Sequence, residues 1–442
     1  MNRTALVFAL LLSLPLVPLA PATAVDPGPQ VTASEPFAPN VRITYGTTPY
    51  AQQVEPMLAV DSLGRLFLGW KEALTDSGGG QRVSFSRSLD GGVTWSAAAF
   101  MAKENPSPQM LQSDPWLAVD EYDHLYYTWI EYNPPFGQAS TTPVARSVDG
   151  GASWDQVTVA SAYTCFADKE MLYADRQGHL YLAYDDVCGS NSFTMVTRSD
   201  DNATTWTPAV RVNDQAGIVA PFVTVDPNGT AYDAWVQYSQ SNIRSDRSFD
   251  GGATWGGDVR VNDVPASASG DSFGQWKISI PSLVSDAAGN LYTAWPDTRN
   301  GNVDIYVSRS TDQAQTWGPA VRINDDATTE DQWQVQLAVG PDGTLHAAWM
   351  DERGSMRDVY YANSTDGGQT WSLNVRVTTM GTSKTFTRPG DYLAVVVDSA
   401  NVVYLAWTDG RRGNDLDIYF ARFPSSPGVV ELTVDTVPPG LD

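Results

Sequence analysis

Seven times along the chain, an alternating or β-branched run meets a turn and returns as a second run that closes on an aromatic. The instances are 57–70, 116–129, 171–184, 222–235, 282–295, 336–349 and 392–407. They close on Trp70, Trp129, Tyr184, Trp235, Trp295, Trp349 and Trp407, spaced 51 to 60 residues apart. Period-two patterning around a Gly or Asn turn predicts a hairpin each time. A third strand follows, as at 304–307, then a sharp turn and a short fourth strand, as at 321–323. Four strands per unit of that length, repeated seven times, is the signature of a propeller. The fold class is therefore all-β: a seven-bladed β-propeller of four-stranded blades.

Closure is legible too. The seventh unit ends at its third strand, Asp417 onward, whereas residues 40–43 form an orphan fourth strand resembling 374–377. The N-terminal strand is expected to complete the last blade and leave no open sheet edge. The propeller then spans 40–423, after a linker over 25–39 and before a Pro-rich tail over 424–442. Residues 1–24 read as a secretory signal peptide: Arg3, an apolar run from Ala5 to Leu19, and Ala22-Thr23-Ala24 as cleavage site. The expectation is a secreted, extracellular, monomeric protein without membrane insertion, since no later segment is apolar for about 18 residues.

The turn between third and fourth strands carries a second repeat, clearest at Ser88-Leu89-Asp90-Gly91-Gly92-Val93-Thr94-Trp95. It recurs around Asp149, Asp201, Asp250, Asp312 and Asp366, with Ala203 and Ala314 in place of the second glycine. Asp and Ser cap backbone N–H groups of the turn, and Trp packs between sheets. These residues resemble the Asp-box, or BNR, repeats of the sialidase superfamily. The resemblance covers nearly all of the mature chain. It implies that the boxes are structural and that an active site lies on the opposite face. It also implies an exo-acting glycoside hydrolase with extracellular glycans or glycoproteins as partners. Sialidases open one blade with Arg-Ile-Pro, whose Arg grips the sialate carboxylate. Here Ser279-Ile280-Pro281 stands instead, and the equivalent positions Val54, Ser113, Asp168, Val219, Trp333 and Asp391 hold no Arg. A non-enzymatic propeller binding glycans or proteins is the other reading.

On the face opposite the boxes, the second position after each closing aromatic is Glu72, Glu131, Asp186, Gln237, Asp297, Asp351 and Asp409. The last three are followed by Arg299, Arg353 and Arg411, which bind a substrate carboxylate or pair with the acids to fix each loop. Glu72, Glu131 and Asp186 have no such Arg and are the candidate catalytic carboxyls. Asp114, Asp168 and Glu170, in the loops and strands leading into the same early blades as Glu55, are candidate Ca2+ ligands. No cofactor is required. Cys165 and Cys188 share this face and are expected to form a disulfide. Trp276 and Trp333, with Phe273, either stack on sugar rings or pack under loops. His124, His179 and His346 form no metal-ligand pattern. A net charge of −24, with only five lysines among 27 basic residues, argues against nucleic acid. Asn202, Asn228 and Asn363 open glycosylation sequons.

Overall fold

Six of the seven hairpins turn on an aspartate that caps its own loop, the sixth blade having Gly340 there. In the first, Asp61 Oδ1 accepts the N–H groups of Leu63 (3.0 Å) and Arg65 (2.9 Å). Asp120, Asp175, Asp226, Asp286 and Asp398 repeat the bond pattern. An Asx turn of this kind holds the hairpin at fixed register. A computed structural model describes residues 37–44, 49–75, 80–105, 107–134, 140–162, 165–268, 280–386, 389–413 and 415–423. The signal-peptide and tail assignments, Asn40's preceding linker up to residue 36, Phe273, Trp276 and Ser279 lie outside them.

Seven four-stranded antiparallel sheets follow in chain order. Their innermost strands are Gln52–Val60, Leu111–Val119, Phe166–Ala174, Ile218–Val225, Ser282–Ser285, Gln332–Val339 and Ala394–Val397. The last blade is completed from the N-terminus: Val41 pairs with Phe420 and Arg42 with Tyr419. Most outermost strands have two residues, but blade two carries a seven-residue one, Gln156–Ala162, which the repeat did not foretell. Among the described residues no helix is long and apolar enough to cross a membrane.

The closing aromatics are the core. Trp70, Trp129, Trp235, Trp295, Trp349 and Trp407 are fully buried, as is Tyr184 to within 1%. Box tryptophans wedge between neighbouring sheets: Trp154 meets Phe85 edge-on at 5.0 Å, and Trp95 meets Phe420 across the closure at 5.2 Å. Edge-to-face aromatic pairs contribute beyond their area. A second seam joins the blades. Arg87 donates to Gly150 O of the next blade's box, Arg146 to Asn202 O, Arg198 to Gly251 O, Arg247 to Gln313 O and Arg422 to Gly91 O. The last of these again bridges blade seven to blade one.

Inside each box the acid is saturated. Asp90 accepts from Thr94 Oγ1 (2.6 Å), Thr94 N (2.8 Å), Ser88 Oγ (2.7 Å) and Val93 N (3.1 Å). These bonds hold the carboxyls of Asp90, Asp149 and Asp366 down at about 2, and Asp201, Asp250 and Asp312 shift the same way. A depressed folded-state value adds stability above the unfolded value near 3.8, and that stability is lost as pH falls toward 2. Acid titration followed by circular dichroism is therefore expected to show unfolding between about pH 4 and 2. Asp149→Asn should raise the midpoint pH, and an unchanged midpoint would contradict this role.

Candidate active site

Strand direction sorts the ends of the blades. Innermost strands begin on the face opposite the box turns, and there they carry a repeated irregularity. The pairing with the second strand slips between Val54 and Met57, Ser113 and Trp116, Asp168 and Met171, Val219 and Phe222, and Trp333 and Gln336. At each slip a residue takes left-handed backbone: Glu55, Asp114, Lys169, Ala220 and Gln334, with φ from 50 to 57°. Non-glycine residues held there are uncommon, and such bulges gather at rims beside functional sites.

The bulges of blades one to three assemble a charged cluster with groups from the second strands and from blade seven. Lys71 Nζ meets Glu55 Oε1 at 2.5 Å and stands 3.8 Å from Asp114 Oδ1. Lys169 Nζ meets Asp114 Oδ2 at 2.7 Å and, from blade seven, Asp391 Oδ2 at 2.6 Å, with Asp168 Oδ1 at 3.7 Å. Below it Trp116 packs edge-on against Phe222 (5.5 Å) and Tyr392 (5.7 Å). The carboxylates of these blades thus have counter-charges that lie outside the Arg pattern: two of the chain's five lysines are built into the cluster.

Burial sets the protonation. Burial opposes ionisation of Asp114, yet Lys169 and Lys71 hold its carboxyl down at about 2. Glu55, for which burial and then Asp114 dominate, is pushed up to about 7. Burial lifts Glu170 and Asp185 well above the carboxylate range, with Asp114 adding to the first and Asp168 to the second. Asp168 is also raised by burial. Lys169, despite burial, is raised by Asp114, Asp168 and Asp391 and stays charged.

Blade three breaks the repeat. Asp168 and Asp185 are register partners across its first two strands, so their Cβ atoms lie about 4.5–5.5 Å apart. The same register elsewhere joins Val54 to Lys71, Ser113 to Ile130, Val219 to Val236 and Trp333 to Met350. Asp185 Oδ2 accepts Ala220 N–H at 3.0 Å, while its Oδ1 has no partner. Glu170 occupies the position of Pro56, Pro115, Pro221 and Pro281. Neither of its buried oxygens has a partner outside its own residue. Asp168 is the open member, its side chain 22% exposed.

Of the residues singled out from the sequence, Asp114, Asp168 and Glu170 lie in this centre, and the candidate catalytic and substrate-binding residues fall elsewhere around it. Glu72 accepts Trp70 Nε1 (2.8 Å), Ser84 Oγ (2.7 Å) and Gln53 Nε2 (3.0 Å). Glu131 accepts Trp129 Nε1 and Gln112 Nε2 (both 3.0 Å) and Glu104 N (2.9 Å). Asp297, Asp351 and Asp409 receive their blades' indoles in the same way. The repeated acid is the acceptor for the core indole, and Trp235, followed by Gln237, has an unpaired N–H. Asp186 stands half-buried on the other side of its strand, its carboxyl raised by burial. Arg299, Arg353 and Arg411 fold back on Asp297, Asp351 and Asp409 at 2.8, 2.8 and 2.6 Å. They lie over Tyr306, Tyr360 and Tyr419 at about 4 Å, which is the loop-fixing arrangement. Trp333 is buried beneath Arg357, 4.8 Å from its ring centre. Asp114, Asp168 and Glu170 do not bring three oxygens within 4.8 Å of one another. Among the described residues the one such trio is Cys165, Asp186 and Cys188, whose sulfurs form a disulfide with Cα atoms 5.1 Å apart.

Comparison with known proteins fits this architecture. Residues 264–411 match the model of a BNR repeat-containing family. No curated protein matches the chain in sequence. Among solved structures, the Hadza microbial sialidase Hz136 is 19% identical with a TM-score of 0.52, over 69% of this chain and 64% of its own. The chain thus spans about two thirds of that sialidase's length. An alpha-L-arabinanase of Penicillium chrysogenum and an alpha-L-arabinofuranosidase of Fusarium graminearum are each 14% identical with a TM-score of 0.52. Each comparison covers 88% of this chain and 98% of theirs. Repeat, topology and likeness agree: the chain is a seven-bladed β-propeller with a BNR-repeat match over 264–411 and a fold similar to that of these enzymes.

Proposed function

We propose that the protein is a secreted, glycan-directed propeller that cleaves glycosidic bonds with carboxyl groups at the channel mouth of blade three. The observation that carries this reading is the cross-strand pair Asp168–Asp185, which no other blade repeats. Glycosidases need one protonated and one ionised carboxyl flanking the scissile bond. Burial keeps the proton on Asp185. Asp168, the more exposed partner, is raised by burial too, but the Lys169 ammonium at 3.7 Å works against that and favours its anion. Asp185 then serves as proton donor and Asp168 as nucleophile or base. Glycan-processing enzymes on the same fold support the substrate class by analogy.

The second reading is a non-catalytic glycan-binding propeller. It is favoured by the full occupation of Glu72, Glu131 and the three arginines in bonds that serve the blades. Hydrolysis of a panel of fluorogenic glycosides, sialosides included, with and without calcium, separates the two. Turnover that falls at least about 10³-fold in Asp168→Asn is expected for an enzyme. A folded protein without turnover across the panel would leave the binding reading.

A further inference from the structure

We propose that the sugar unit seated over Asp168 carries no acidic group, so that the ligands of this site are neutral glycans. The inference rests on the glycan reading given above, and charge balance carries it. Around Asp168 stand Glu55, Asp114, Glu170, Asp185 and Asp391. Among the described residues only two ammonium groups, Lys71 and Lys169, stand with them. Both are buried, with 6% and 7% of their side chains exposed, and both already touch carboxylates.

Recognition of a carboxylate calls for a cation with unspent donors, usually a guanidinium presenting its fork. Four guanidinium groups of blades five to seven on this face are committed. Arg299 binds Asp297 and Asp263, Arg353 binds Asp351 and Asp325, and Arg411 binds Asp409 together with Asn40 and Thr379. Arg357, buried over Trp333, is held by Glu352 at 2.9 Å. A uronate or sialate over Asp168 would have to break one of these pairs, draw its counter-charge from an arginine outside the cluster such as Arg412 or Arg82, or lie against carboxyls without one.

The unspent groups point to hydroxyls instead. Asp185 is fully buried with Oδ1 unpaired, and Glu170 is 2% exposed with neither oxygen bonded outside its own residue. A protonated carboxyl donates one hydrogen bond and accepts others, and a sugar hydroxyl does both, so each satisfies the other without net charge. Burial retains the protons on both acids.

The test compares the purified full chain on matched 4-methylumbelliferyl glycosides. Arabinofuranoside, galactoside and N-acetylglucosaminide stand against sialoside and glucuronide, with binding of the same sugars read on a glycan array. Neutral sugars are expected to be favoured at least 100-fold, in kcat/KM or in array affinity. A preference for an acidic sugar would overturn this inference and leave the glycan reading standing. Engagement of no sugar, by turnover or by binding, would overturn both.

Discussion

Lys169→Met is expected to lower the unfolding free energy by about 3–5 kcal/mol at pH 8, the cost of stranding buried charges by removing one partner. The ammonium touches Asp114 at 2.7 Å and Asp391 at 2.6 Å, the latter 222 residues away and on a blade that is not its neighbour. It therefore spans the channel, and methionine would fill its volume without its charge. The pH dependence gives the test a sign. In the native protein Asp114 is held at about 2. Its ionic contribution is present above the unfolded value near 3.8 and lost as pH falls toward 2. Without Lys169, burial dominates and lifts that carboxyl above its unfolded value. The folded state then binds more protons than the unfolded one, so the variant loses stability as pH rises from about 4. Guanidinium unfolding at pH 5 and pH 8 should show the larger deficit at pH 8. Adding Asp391→Asn should restore part of it, because the stranded charge is gone and contacting residues are not additive. A deficit below about 1 kcal/mol, or one equal at both pH values, would mean that the cluster is solvated rather than charge-paired.

The blade number, the closing strand, the box turns and the disulfide were legible because each is written in local pattern. Period-two runs, an Asx turn and a Ser-x-Asp-x-Gly turn report on residues within a few positions of one another. The channel mouth was not legible in this way, because its contacts join bulges of blades one, two, three and seven. Lys71 and Lys169 went unpaired in the sequence because nothing local connects Lys169 to Asp391. Glu72 and Glu131 looked uncompensated for lack of an Arg two residues on. Their partners are instead the indole N–H two residues before, a cross-strand glutamine and, for Glu131, loop amides. One signal was available. The residue directly after each closing aromatic is Lys71, Ile130, Asp185, Val236, Pro296, Met350 and Thr408. An acid there in one blade alone, like Glu170 among prolines, marks an exception within the repeat. An acid that recurs in nearly every blade serves the blade, and an acid that departs from the pattern needs another reason to persist.

Asp185→Asn separates those two kinds of acid, because activity and stability should move in opposite directions. Asparagine preserves the shape and the oxygen that accepts Ala220 N–H at 3.0 Å, but it cannot ionise or donate a proton to a leaving group. Turnover of any glycoside the protein cleaves should fall by about 10²–10⁴-fold, the usual contribution of a positioned proton donor. Stability should not fall with it. The folded-state value of Asp185 is raised by burial and by Asp168. The folded protein therefore keeps a proton that the unfolded chain releases above about 3.8, and this residue costs stability as pH rises from there. The asparagine variant escapes that cost, so its melting temperature should equal or exceed the native one at pH 8, with the advantage shrinking toward pH 5. A structural acid behaves otherwise: Glu131→Gln would set an amide N–H against the Asn105 N–H that Oε2 accepts at 3.2 Å, while Oε1 serves the Trp129 indole, the Gln112 amide and Glu104 N–H, and it should lower stability at both pH values. If Asp185→Asn lost stability like Glu131→Gln and left turnover unchanged, Asp185 would belong with the blade acids and blade three would lose its claim to the chemistry.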